Sequence, residues 1–191
     1  MKSEHPALGL LILVPALVGC GDTDRQLDQM VSDAAKARAT GPESDETDHT
    51  VNNLMDRVAS AKGGQAALFR GLDSSNPAIR EVCIDEFGAK GDRAALPRLC
   101  QLAESRDPSV GFDSLLALMK INDQGAGPTY KRILAGSPLL RGEPGKDGFE
   151  LVAFNAVAKL NDRSATPVLI PWLGASKLYT TAAETLGEVG D

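Results

Sequence analysis

Aromatic residues are scarce in this 191-residue chain, which holds five Phe, two Tyr and one Trp. A core built on large rings is therefore excluded, and the 42% apolar content, rich in Ala and Leu, points to helices packed through small side chains. Histidine is rarer still: His5 falls in a leading segment expected to be removed, and His49 lies far from any cysteine or carboxylate cluster with ligand spacing. That argues against a His-dependent triad and a metal centre. No apolar run reaches the roughly 20 residues that cross a bilayer as a helix. Basic residues are neither in excess nor clustered, with 20 Lys and Arg against 26 Asp and Glu, so the stripe that releases phosphate counterions from nucleic acid is missing.

What charge there is lies unevenly. Residues 21–50 hold eight acids and three bases, whereas residues 51–191 hold seventeen acids and sixteen bases. The acidity thus falls in a leading stretch, read as a tether over residues 20–50, and the body at 51–191 is close to neutral. Within the tether, Asp24 to Ala39 has Leu27, Met30, Val31 and Ala34 at helical spacing, which fits a marginal helix or an equally loose segment. The stretch from Thr40 to Thr50 contains Gly41 and Pro42 and no apolar residue, which predicts a flexible linker.

Residues 1–19 read as a targeting segment: Lys2, an apolar run from Ala7 to Val18 broken by Gly9 and Pro15, then Leu17-Val18-Gly19-Cys20. This ending resembles the lipobox of bacterial lipoproteins. The resemblance implies cleavage after Gly19 and acylation (diacylglycerol and an amide-linked chain such as palmitate) at Cys20. Two or more acyl chains, at about 0.8 kcal/mol per buried methylene, hold a protein on a membrane without a spanning helix. It further implies a place in the bacterial cell envelope, facing the periplasm or the exterior, and Gly21 is compatible with delivery to an outer membrane.

The body repeats itself. Ile79 to Asp92, Val110 to Asp123, Phe149 to Asp162 and Leu178 to Asp191 align over fourteen residues without a gap, at intervals of 31, 39 and 29. Residues four apart, such as Ile79, Cys83 and Phe87 or Val110, Ser114 and Leu118, form one apolar face with a small residue at its centre. Each unit closes on Gly-Asp or Asn-Asp, which suits a left-handed helix end followed by a capping carboxylate. Ala95, Ala126 and Ala165, with Pro97, Pro128 and Pro167 two residues later, place short partner helices over 95–104, 126–135 and 165–174. Asn76-Pro77 and Asp107-Pro108 open the next long helices, and Val51, Leu54, Met55 and Val58 suggest a worn first unit or a capping helix. The four closing Asp could also be a carboxylate ladder, but one per repeat sets them roughly 10 Å apart, and capping explains them better.

This pattern resembles HEAT repeats of the phycobilisome-lyase-like type, in which a Val-Arg helix ending Leu-Gly-x-Ile-Gly-Asp is joined to a helix containing Ala-x-Pro. The resemblance covers about residues 65–191. It implies an all-α fold, an α-solenoid of stacked helix-turn-helix repeats whose continuous surface binds other macromolecules. The family's Arg is present at Arg80 and is replaced by Gly111, Glu150 and Tyr179.

No catalytic set, cofactor motif or metal cluster emerges. The Gly-Lys within Arg141 to Gly148 lacks the Ser or Thr and the spacing of a phosphate-binding loop and reads as a turn. Cys83 and Cys100 form either a disulfide or two thiols, and the small core position of Cys83 favours free thiols. Phe112, Leu116 and Met119 make a second apolar stripe beside the core residues Leu115 and Leu118. Leu139 and Leu140, in the longer third interval, are expected either to cover that stripe or to leave it, with Leu151, as a groove for a protein partner. The last unit ends at Asp191, where a short helix is due, which leaves its face to a further unit or to a partner. The reading is a lipid-anchored interaction scaffold; an accessory subunit or enzyme of lyase-like type and a purely structural envelope lipoprotein are the competing classes.

Overall fold

A computed structural model describes residues 24–42, 44–136, 148–174 and 178–190. The described residues form helices and turns, with no strand among them. Ten α-helices follow in order: α1 (Asp24–Thr40), α2 (Asp45–Ser60), α3 (Gly64–Leu72), α4 (Pro77–Lys90), α5 (Leu96–Ala103), α6 (Pro108–Ile121), α7 (Gly127–Leu134), α8 (Phe149–Leu160), α9 (Thr166–Leu169) and α10 (Tyr179–Val189). Single 3-10 turns at Arg93–Ala95, Gln124–Ala126 and Arg163–Ala165 lead into α5, α7 and α9.

The recurring motif folds as its chemistry requires. Gly91, Asn122 and Asn161 end α4, α6 and α8 in the left-handed region, at φ 63°, 53° and 50°. Asp92, Asp123 and Asp162 then accept from the amides of Ala94, Gly125 and Ser164 at 2.9, 2.8 and 3.0 Å. Asn76 and Asp107 cap α4 and α6 by accepting from the amides of Ala78 and Ser109, both at 3.1 Å. Pro77, Pro97, Pro108, Pro128 and Pro167 all sit in first turns, where the missing N–H costs nothing. Pro171 falls one turn deeper, and there α9 tightens into a 3-10 segment, Ile170–Leu173.

Each short helix packs on the long helix that follows it (α3 on α4, α5 on α6, α7 on α8), and α4, α6, α8 and α10 stack side by side. The spatial hairpin is thus short-then-long, although the sequence pattern reads long-then-short. Small residues set the spacing. A Cβ at Gly71 of α3 would lie 2.2 Å from Cys83 Sγ of α4, and one at Gly88 would lie 2.9 Å from Ala117 Cα of α6. Cys83, Ser114, Ala153 and Ala182, the mid-face residues, are fully buried at 0% exposure, which is what lets helices approach so closely.

Neighbouring repeats are also tied by polar side chains. Arg98 reaches Asp73 at 2.7 Å, Arg132 Nε donates to Glu104 at 2.7 Å, and Arg93 meets Asp123 at 3.1 Å. Arg80 donates to the Ser74 carbonyl at 2.7 Å and faces Asp107 at 3.6 Å. Trp172 Nε1 donates to the Leu134 carbonyl at 2.9 Å, and its ring meets Phe154 edge-on.

The expected tether is corrected by the structure. From Asp24 onward it belongs to the packed body: α1 buries Leu27, Val31, Ala34 and Ala35 against α2, α3 and α4. The stretch expected to be a flexible linker runs, from Asp45, into α2. Ser44 caps this helix, its hydroxyl accepting from the Thr47 amide at 3.3 Å. Asp45, Glu46 and Asp48 stand at the positive end of the helix dipole, so the acidity that looked like a solvated linker is an N-terminal signal. Apolar partners arrive one turn later, with Val51, Met55 and Val58 buried. Cys20, the insertion with Leu139 and Leu140, the Gly-Lys turn and Asp191 lie outside the described residues.

Candidate functional site

The long helices share one solvent-side line. At the third and seventh positions of the fourteen-residue unit, α4 carries Glu81 and Asp85, α6 Phe112 and Leu116, α8 Leu151 and Asn155, and α10 Thr180 and Glu184. The first four are half-buried and the last four exposed. The face therefore runs from acidic on α4, through apolar on α6, to mixed on α8.

Phe112, Leu116 and Met119 all pack against the core while keeping part of their surface outside. Phe112 meets Phe149 of α8 nearly edge-on, with ring centroids 5.6 Å apart. Lys159 Nζ, at the far end of α8, lies 3.4 Å from the Met119 carbonyl, so α6 and α8 run side by side along the stripe. Leu151 is 43% exposed, two residues beyond Phe149 on the same helix. The stripe expected from sequence is thus continuous on α6, and Leu151 borders it in register from α8.

A charged cluster beside it is not visible in the sequence. Arg38 of α1 pairs with Asp85 of α4 and lies 3.7 Å from Glu81, while Asp113 follows Phe112 on α6. Burial, then the charges of Glu81 and Asp85, push the Asp113 carboxyl up to about 6, against the opposing pull of the Ser109 hydroxyl and Arg38. Glu81 and Asp85, four apart, were the available signal, but Arg38 stands 47 residues before Asp85, in a helix read as tether.

The thiols offer little chemistry. Cys83 and Cys100 are both free, Cys83 buried and Cys100 half-buried. Burial, with Glu86 adding to it, pushes the Cys83 thiol up to about 12, so it is not a thiolate nucleophile at neutral pH. Glu86 is itself raised by burial, with Lys90 opposing. Asp162 goes the other way: burial works against its charge, but Ser164 and Lys131 outweigh that and hold it below the usual carboxylate range. Among the described residues no three His, Cys, Asp or Glu gather as metal ligands, and no helix is long and apolar enough to cross a membrane.

With this geometry in place, the comparison with known families is direct. The chain matches HEAT repeats over residues 66–141, a span that starts in α3 and passes through α4, α5, α6 and α7. No curated protein matches it. The repeats in this span are HEAT-like, and the described residues form an all-α, solenoid-like stack.

Proposed function

We propose that this protein is a scaffold of the bacterial cell envelope, held to a membrane by lipid on Cys20 and binding a protein partner along the face of its long helices. What carries the reading is the graded face: half-exposed Phe112, Leu116 and Met119 on α6, with exposed Leu151 on α8, beside Glu81, Asp85 and Asp113. Such a surface fits an amphipathic segment that presents apolar side chains next to a cation. Kinship with the phycobilisome-lyase-like repeats is proposed for the scaffold alone, since a shared fold does not carry an activity with it. The reading assigns no catalysis and needs no cofactor.

One comparison tests both halves. The full chain, a Cys20→Ser variant and a Leu116→Asp/Met119→Lys variant are captured from membrane fractions, with intact masses and co-purifying proteins read together. The anchor requires an acylated mass in the first and third chains and its loss with Cys20→Ser. The face requires that a protein retained by the parent is lost from the double variant while helicity by circular dichroism is kept. Undiminished capture by the helical double variant sinks the partner face, and an unmodified Cys20 in the parent sinks the anchor.

A further inference from the structure

We propose that one edge of the solenoid, formed by the start of α1 and the turns that close the long helices, rests on the anionic headgroups of the membrane that holds Cys20. This rests on the acylation of Cys20 proposed above. Only four Cα steps separate Cys20 from Asp24, a reach of at most about 14 Å. Asp24 already begins α1, and Leu27, one turn later, is fully buried at 0% exposure. A lipid on Cys20 would therefore leave the body little freedom to tumble away from the bilayer, and the edge that adjoins Asp24 is brought down on it.

Contacts define that edge. A Cβ at Gly63, in the α2–α3 turn, would lie 3.5 Å from Asp24 Oδ1, so this turn sits beside the start of α1. Gln65, at the start of α3, donates to Asp92 in the turn after α4 at 2.8 Å. Arg93 in that turn meets Asp123 in the turn after α6 at 3.1 Å, and Gln124 donates to the Leu160 carbonyl at the end of α8 at 2.8 Å. The turns after α2, α4, α6 and α8 thus form one continuous border with the start of α1.

Charge on this border suits anionic lipid. Its carboxylates are engaged: Arg70 reaches Asp28 at 2.8 Å and Asp24 at 3.8 Å, and Gln65, Arg93 and Lys131 hold Asp92, Asp123 and Asp162. Arg25, Lys62, Lys120 and Arg163 make no ion pair among the described residues, although the chain as a whole is at −6. Cations near an anionic leaflet are attracted to it, and several together orient a body that acyl chains already hold.

The test uses the full chain, acylation verified by mass, in vesicles of phosphatidylethanolamine and phosphatidylglycerol that carry a nitroxide at headgroup level. In a Cys100→Ser background, with Cys83 fully buried, a fluorophore is placed through Lys62→Cys on the proposed edge or Arg106→Cys at the opposite one. The fourteen residues of α6 separate the two edges by about 21 Å. Quenching at residue 62 is expected to exceed that at residue 106 by roughly threefold or more, given a separation beyond the short range of the nitroxide. A flexible Gly-Ser insertion of about 20 residues between Gly21 and Asp22, reaching about 25 Å, should bring the ratio toward one. Equal or inverted quenching in acylated, vesicle-bound protein overturns the orientation while leaving the anchor standing. A ratio untouched by the insertion overturns the short tether as its cause, and a chain without acyl mass that fails to bind vesicles overturns the anchor and this proposal together.

Discussion

Asp113 shows how one side chain carries strain that its surroundings do not relieve. It faces Glu81 and Asp85 of α4, with Arg38 of α1 shared among three carboxylates. An unfolded Asp titrates near 3.9, whereas the folded group holds its proton up to about 6. Between those values the folded state binds more protons than the unfolded chain, so stability falls as pH rises from about 4 to about 6 and is level above. Asp113→Asn removes a partly desolvated charge and, with it, the repulsion from Glu81 and Asp85, and should raise stability at pH 7 by up to about 1 kcal/mol, a figure held low because water reaches the carboxylate. Urea midpoints for parent and variant at pH 7 and near pH 4 give the answer: the gap should close at the lower pH. A gap of the same size at both would mean that ionisation is not its source. A protein that tolerates such repulsion beside an apolar stripe has traded stability at the place where the proposed partner would bring a cation.

At the scale of the helix, the closing motif acts through backbone conformation more than through contact. A Cβ at Gly91 would meet nothing within 4 Å, yet its φ of 63° lies where an L side chain is costly. Gly91→Ala should therefore destabilise by about 1 kcal/mol, while Gly91→Asn should cost clearly less, because Asn122 and Asn161 already hold this conformation in α6 and α8. Thermal unfolding of the two variants checks the cause, since equal losses would mean that the left-handed φ is not what the glycine serves. The same motif made most of the fold legible. Its Gly or Asn, its Asp and the Pro five residues later recur in three units, and each has a single local use. What stayed illegible were elements whose partners are distant in sequence. The spacing of Leu27, Val31 and Ala34 allowed a marginal helix at α1 and equally a loose segment, because nothing local says that α2, α3 and α4 lie against it. In the same way, an acidic stretch without apolar residues reads as linker until Ser44 is seen capping a helix whose first buried residue, Val51, comes two turns later.

For the whole molecule the question is where the solenoid begins. Repeat stacks draw their stability from each unit and its interface with the next, so an end element matters through the one surface it covers. α1 covers a substantial one. It brings Leu27, Val31, Ala34 and Ala35 against α2, α3 and α4, and its Arg38 and Asp28 tie it to Asp85 and Arg70. Leu27 and Val31 alone contribute about 1.5–3 kcal/mol each on burial. A chain starting at residue 43 should thus melt about 10 °C or more below one starting at residue 24, at 2–4 °C per kcal/mol for a domain of this size. Neither chain contains Cys20, so the comparison is independent of the anchor. If the two melt together, α1 is a tether laid on the surface after all, the attachment point moves some 20 residues away from the body, and the short reach that brings the turn edge down on the bilayer disappears. If the shorter chain melts early, the body begins at Asp24 and whatever is fixed at Cys20 holds it closely.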